Sequence, residues 1–396
     1  MEVVFMQPVE IKPNVYWVGG IDWDLRNFHG YVTPRGSTYN SYLIMDDKIT
    51  LVDTVKHYLA GEMLDRIRAI VDPEKIDYML VNHVEMDHSG SVPRVMEVAP
   101  HAKMITTPKG KQGLEMHYKQ DWEYTIVKTG DELKIGSRTL KFVQTPMVHW
   151  PDNMVTYIAE DGLLLSNDAF GQHIASTERF ADELGWDIAR EEAASYYANI
   201  VFPYGDQVNK ALDVVETLPL EMIAPSHGLI WRSYLPELLK EYRKWAGNET
   251  DRKALVVYDT MWGSTREMAL ALQDGLEVCG VPVTMKSLQT NHISQIVPYL
   301  LTAKLVLVGC PTINNGMLPT MAAFLTYIKG LRPKKRVGFA FGSYGWGGQG
   351  AREVASVLKD MGWEMPEETV NLQYVPGKED LADLKEIGSR LAKVLE

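Results

Sequence analysis

Cysteine is nearly missing from this 396-residue chain: there are two, Cys279 and Cys310, with no C-x-x-C. That leaves neither a disulfide framework nor a thiolate metal site. A basic excess is missing too, with 40 Lys and Arg against 52 Asp and Glu and a net charge of −12. Because binding a phosphate backbone calls for a concentrated basic surface, and no local basic block exists, no nucleic-acid partner is expected. No run approaches the ~20 apolar residues of a membrane helix, so no membrane partner is expected. The start, Met1 to Pro8, lacks the basic residues and apolar core of a signal peptide, which implies a cytoplasmic protein. No G-x-x-x-x-G-K-[ST] occurs, and no G-x-G-x-x-G follows the strand-like run Ala254–Tyr258, where a dinucleotide fold would carry it, so neither a P-loop nucleotide nor a dinucleotide is indicated.

What is present is a long, ordinary globular composition, enough for two or three domains. Up to about Gly247 the chain alternates strands and short helices. Tyr42–Met45 and Ile49–Val52 flank the acidic turn Asp46-Asp47-Lys48 and read as a hairpin. Met154–Ile158 and Leu163–Leu165 form a second hairpin around Glu160-Asp161-Gly162. The polar stretch Ala246–Arg252 reads as a linker. Beyond it the continuous apolar run Ala254–Tyr258 is that of a strand buried on both faces of a parallel sheet, and βα alternation continues to the end. We therefore expect one domain over 1–250 and a doubly wound α/β domain over 251–396.

The densest chemistry is His83-Val84-Glu85-Met86-Asp87-His88, directly after the strand-like Tyr78–Val81. In an extended loop alternate side chains share a face, so His83, Glu85 and Asp87 should converge and His88 should turn away, an arrangement suited to two adjacent metals. His149, Asp168 and His227 each follow a further apolar run. Three carboxylates among seven donors favour iron or manganese over zinc. Of the other histidines, His57, His101 and His117 sit in polar contexts, and His292 opens a helix in the second domain. His173 is either structural or a support for a ligand, and His29 has no spacing argument.

This order of donors resembles the metallo-β-lactamase superfamily, an αββα sandwich whose hydrolytic members carry H-x-H-x-D-H; here Glu85 stands at the second histidine. The resemblance implies one pocket of His83, Glu85 and His149, another of Asp87, His88 and His227, and Asp168 bridging them.

Three loops of the second domain follow its first, third and fourth apparent strands. Thr260-Met261-Trp262-Gly263-Ser264-Thr265 offers hydroxyls and N–H groups at the start of a helix, a phosphate cradle. Pro311-Thr312-Ile313-Asn314-Asn315-Gly316 and Ser343-Tyr344-Gly345-Trp346-Gly347 bring aromatics and glycines that suit a planar ring lying on the backbone. The pattern resembles a flavodoxin, which implies FMN with its phosphate in the first loop and its ring between the other two.

A metallo-β-lactamase-like domain with H-x-E-x-D-H followed by a flavodoxin-like domain is similar to the flavodiiron proteins over nearly the whole chain. The resemblance implies two non-haem iron ions, FMN, and reduction of O2 to water or NO to N2O. It implies a histidine and a tyrosine near the open face of the metal site, for which His29 and Tyr197 are the best matches, and makes His88 the least secure ligand. The four cysteines of a rubredoxin domain are missing, so an external donor is implied: rubredoxin or, as in some relatives, reduced coenzyme F420. The family's head-to-tail homodimer, or a tetramer made of two, would bring one subunit's FMN to the other's irons. Two rivals are a dinuclear zinc hydrolase, against which Glu85 argues, and a flavoprotein whose first domain has lost its chemistry.

Overall fold

The short, wholly buried runs Tyr42–Ile44 and Thr50–Val52 pair antiparallel, as the hairpin pattern requires, and sit in the middle of a seven-stranded sheet. The computed structural model describes residues 7–395; the N-terminal stretch in which no leader was found falls mostly outside the described residues. The sheet runs in the order Val9–Lys12, Val15–Trp17, Tyr42–Ile44, Thr50–Val52, Tyr78–Leu80, Lys103–Thr106 and Tyr124–Ile126. A second, five-stranded sheet runs Glu132–Lys134, Thr139–Gln144, Met154–Ile158, Leu163–Asn167 and Met222–Pro225. Side chains from both, such as Trp17, Ile44, Val52, Leu80, Phe142, Ile158, Leu163 and Ala224, share one buried core. This is the sandwich expected for the first domain.

The direction of the strands decides where the chemistry lies. Thr139–Gln144 and Leu163–Asn167 are both antiparallel to Met154–Ile158, and Met222–Pro225 is parallel to Leu163–Asn167. Their C-terminal ends therefore meet at one edge, and from that edge leave the segments carrying His149, Asp168 and His227.

In the C-terminal part a five-stranded sheet runs Val283–Ser287, Asp251–Tyr258, Ala303–Gly309, Val337–Tyr344 and Val370–Gln373, with every pair parallel. In sequence this is the order 2-1-3-4-5 of a flavodoxin-like doubly wound sheet, which puts the loops after the first, third and fourth strands at the switch point. The helices Ser264–Val278 and Lys378–Lys393 touch through Gly275 and Gly388, where a Cβ on Gly275 would lie 2.0 Å from the Lys385 carbonyl oxygen. Among the described residues no helix is long and apolar enough to cross a membrane.

The linker expected over Ala246–Arg252 shrinks to four residues, since the helix Leu235–Ala246 takes in its first residue and the next strand already begins at Asp251. The chain divides into two compact units, and the second holds more than the residues beyond the linker: besides Arg243 onward it includes His29–Val32 and Tyr197–Gly205. Within that unit the Val32 N–H donates to Ser294 Oγ (3.1 Å), Asn199 Nδ2 to the Ser294 carbonyl (3.1 Å) and Tyr327 Oη to Asn199 Oδ1 (2.6 Å).

Candidate metal centre and flavin cavity

The strand Tyr78–Leu80 delivers His83 and Glu85 in extended backbone, but the chain then turns helical over Met86–Ser89. Strict alternation is therefore lost at Asp87. Instead of converging with His83 and Glu85, Asp87 joins His88 in a second cluster, because one helical turn rotates both to the far side. Two donor groups result, His83, Glu85, His149 and Asp168 in one and Asp87, His88 and His227 in the other.

Asp168 joins them. Its Oδ2 lies 3.5 Å from His83 Nε2 and 3.2 Å from His149 Nε2, while Oδ1 lies 2.9 Å from His88 Nε2 and 3.4 Å from His227 Nε2. Glu85 Oε2 sits 3.3 Å and 3.4 Å from the same two nitrogens of the first group, and Asp87 Oδ2 sits 3.2 Å from His227 Nε2. All seven residues predicted from the sequence are brought together.

The donors fit cations. His227 Nδ1 lies 2.8 Å from the Thr38 carbonyl oxygen, which can only accept, so Nδ1 carries the hydrogen and Nε2 presents a lone pair. His83 Nδ1 is likewise 2.9 Å from Asp152 Oδ2, leaving its Nε2 to face two carboxylates. Both oxygens of Asp87 and of Asp168 are buried with no hydrogen-bond donor of acceptable geometry. Lone pairs so crowded repel unless a cation lies among them, and donors about 2.1 Å from one cation at right angles are about 3 Å apart. Burial alone would push the Asp168 carboxyl up, but His88, His149 and His83 more than offset it and hold it well below the usual carboxylate range, ready to bind metal.

Asp152 and Tyr196 escape the sequence reading, which weighs His173 alone as a support. Asp152, three residues past His149, also accepts from the Val84 N–H (2.8 Å). Requiring an acceptor for each ligand's Nδ1 would have drawn attention to it. His173 Nδ1 is 2.7 Å from Ser37 Oγ, and its ring lies 4.9 Å from that of His227; burial holds His173 neutral. Tyr196 packs 5.1 Å from the His173 ring and 5.8 Å from His227. Tyr197, the next residue, starts a π-helical turn, and its buried ring packs on Trp245 (5.2 Å) and Phe202 (6.3 Å). His29 is exposed with φ of 49°. Both belong to the second compact unit rather than to the one carrying the seven donors.

In the second unit a cavity of about 690 Å³ is lined from all three predicted loops, by Met261, Trp262 and Ser264, by Pro311 to Asn315, and by Ser343 to Gly347. Thr260, Gly263, Thr265 and Gly316 do not line it. Thr260 Oγ1 instead accepts from the Gly263 N–H (3.1 Å), and Thr265 Oγ1 ties the first loop to Ser343 Oγ (3.0 Å). The helix beginning at Ser264 has no side chain capping it, so its first N–H groups are available to a phosphate. Trp262 and Trp346 are 95% and 91% exposed, broad faces for a planar ring. Tyr374 and Val375 also line the cavity. They follow the fifth strand, whose loop must open on the same edge of a parallel sheet, a signal present in the sequence and not used.

Known proteins agree with this geometry. The model of the ODP family beta lactamase matches residues 38–228, and that of flavodoxin matches residues 256–388. The chain is 45% identical to a nitric oxide reductase from Moorella thermoacetica over 98% of each chain. It is 40% identical to a rubredoxin-oxygen oxidoreductase from Megalodesulfovibrio gigas over 99% of each. The crystal structure of the flavodiiron protein from Giardia intestinalis superposes with a TM-score of 0.95 at 36% identity, covering 99% of this chain and 97% of that one. Fold, donor set and full-length similarity lead to one conclusion: this chain belongs to the flavodiiron proteins.

Proposed function

We propose that this protein reduces O2 to water, NO to N2O, or both, at a diiron centre held by His83, Glu85, Asp87, His88, His149, Asp168 and His227, with FMN in the second unit's cavity. The observation that carries this is Asp168, whose two oxygens each face one donor group. The names of relatives, nitric oxide reductase and rubredoxin-oxygen oxidoreductase, support both substrates. When bound, two ferrous ions and reduced FMN supply the four electrons that take O2 to two waters, and two of those electrons suffice for two NO molecules to give N2O.

The residues divide the work. His83, Glu85 and His149 hold one metal and Asp87, His88 and His227 the other, and Asp168 fixes their spacing. The carboxylates stabilise the oxidised pair, while Glu85 in place of an imidazole favours iron. Burial pushes the Tyr197 hydroxyl well up, so it stays protonated and can donate a hydrogen bond or proton; His29 is the alternative donor.

Electrons come from an external protein or coenzyme, rubredoxin or reduced coenzyme F420. A head-to-tail homodimer, alone or paired into a tetramer, would set one copy's flavin rim against the other's metal loops. Its support is the exposed apolar surface on each side: Trp262, Trp346 and Val375 at the cavity, and Met86 on the metal loop itself. The free thiols Cys279 and Cys310 suit the reducing cytoplasm. Metal and flavin analysis of the purified protein tests the assignment. Iron with flavin bands is expected; zinc with flavin would favour a hydrolase, and flavin without metal a pure electron carrier.

A further inference from the structure

The two donor groups are supported differently. Behind His83 stands a carboxylate, for Asp152 is buried and its Oδ2 accepts from both His83 Nδ1 (2.9 Å) and the Val84 N–H (2.8 Å). Its own carbonyl accepts from Thr107 Oγ1 (3.0 Å), which fixes the residue from the other side. Behind His227 stands only a neutral peptide, the Thr38 carbonyl at 2.8 Å. His88 Nδ1 is buried with no partner at all. With Asp168 shared, the first group carries Glu85 and has Asp152 hydrogen-bonded to a ligand imidazole behind it. The second carries Asp87 and has no such hydrogen-bonded carboxylate among the described residues: Asp53, buried near His88 and His83, gives its oxygens to the Asn82 N–H (2.7 Å) and Nδ2 (3.1 Å) instead.

A negative charge hydrogen-bonded to a ligating imidazole makes it a stronger donor and stabilises the higher oxidation state of the metal it holds. Resting on the diiron reading above, we propose that Asp152 is a positioning residue that makes the two pockets unequal. It fixes His83 as an Nε2 ligand and lowers the reduction potential of its pocket, so that the first electron goes to the pocket of Asp87, His88 and His227. The step is a single-electron transfer from the reduced flavin, or from dithionite in the test: the donor loses one electron, one ferric ion becomes ferrous, and no bond is made or broken.

The geometry supplies a clean variant. Both hydrogen bonds of Asp152 land on one oxygen and the other oxygen, Oδ1, is buried without a partner. In Asp152→Asn the amide oxygen can take both donors while the charge is lost. The test is a dithionite titration of the full-length, iron-loaded protein followed by electron paramagnetic resonance, with iron analysis alongside. We expect Asp152→Asn to keep iron in both pockets and to raise one iron couple by at least tenfold in its equilibrium constant, about 59 mV for one electron, with the other moving far less. Asp152→Glu, which restores the charge, should return that couple toward the wild-type value. If Asp152→Asn instead loses about half of its iron and Asp152→Glu regains it, the role also stands. Unmoved couples, equal movement of both, or loss of all iron with unfolding in both variants would overturn it. Wild-type protein that binds no iron would be a separate failure, that of the diiron reading, and this proposal would fall with it.

Discussion

In the first unit the metal donors lie inside the protein, His83 wholly buried and its Nδ1 already engaged by Asp152. In the second unit the two tryptophans beside the cavity are almost entirely exposed, and the helix that should meet a phosphate has no cap. One site has its donors aimed by the protein's own hydrogen bonds; the other presents open aromatic faces and an uncapped helix start on loops. The difference follows from chemistry. Bare carboxylates and imidazoles can be buried together only if their directions are fixed by further hydrogen bonds, whereas a large planar ring supplies its own apolar surface for loops to close on. Lesions in the cage should therefore be severe and local, and lesions at the cavity graded.

The severest break is Asp168→Ala. It removes the side chain whose two oxygens face the two donor groups, so metal content should collapse and turnover fall by more than about 100-fold, the upper range for lesions one layer further out. Iron analysis with amperometric O2 and NO assays checks this, and normal iron content would refute the bridging role. Next is Glu85→His, which restores the imidazole of the hydrolytic pattern. Zinc should compete better and turnover should drop by about tenfold or more; full iron and full activity would show that ligand hardness does not set the metal. At the cavity, Trp346→Ala removes one stacking face and should weaken FMN binding by about 1 kcal/mol, roughly fivefold in Kd. Fluorescence titration of the apoprotein measures it, and an unchanged Kd would mean the ring lies elsewhere.

The smallest effect concerns the scaffold. Burial pushes the Asp46 carboxyl up, but the Ser137 N–H and hydroxyl and the N–H groups of Asp47 and Arg138 outweigh it and hold it below its ordinary value. A depressed carboxylate stabilises the fold above the unfolded-state value of about 3.9 and loses that contribution as pH falls through the folded-state value. Asp46→Asn should therefore lower Tm by about 2 °C near neutral pH, with the gap to wild type closing in acid. A gap that is constant with pH would show that the charge contributes nothing.

The comparison also explains what was legible in the sequence. The cage could be read because four donors crowd into His83–His88 and the other three each follow an apolar run. The flavin loops could be read because a parallel sheet collects the loops after its strands at one edge. Asp152 stays hidden while only ligands are sought, and comes into view once each ligand imidazole is required to have an acceptor for its second nitrogen. The pairing of Asp87 with His88 turned on a single helical turn at Met86 that the extended-loop expectation did not include. The insertion of His29–Val32 and Tyr197–Gly205 into the second unit leaves no mark in composition or periodicity, because it is made by single contacts such as Asn199 with Tyr327.

The central claim, that flavin and buried metal pair act together on a small diatomic gas, is tested most directly by one pulse. The protein is photoreduced without air, and a single addition of O2 or NO follows. We expect flavin and iron to reoxidise together, with water or N2O as the product and no peroxide released. Stoichiometric peroxide formed at the rate of flavin reoxidation, with the iron still reduced, would contradict the account.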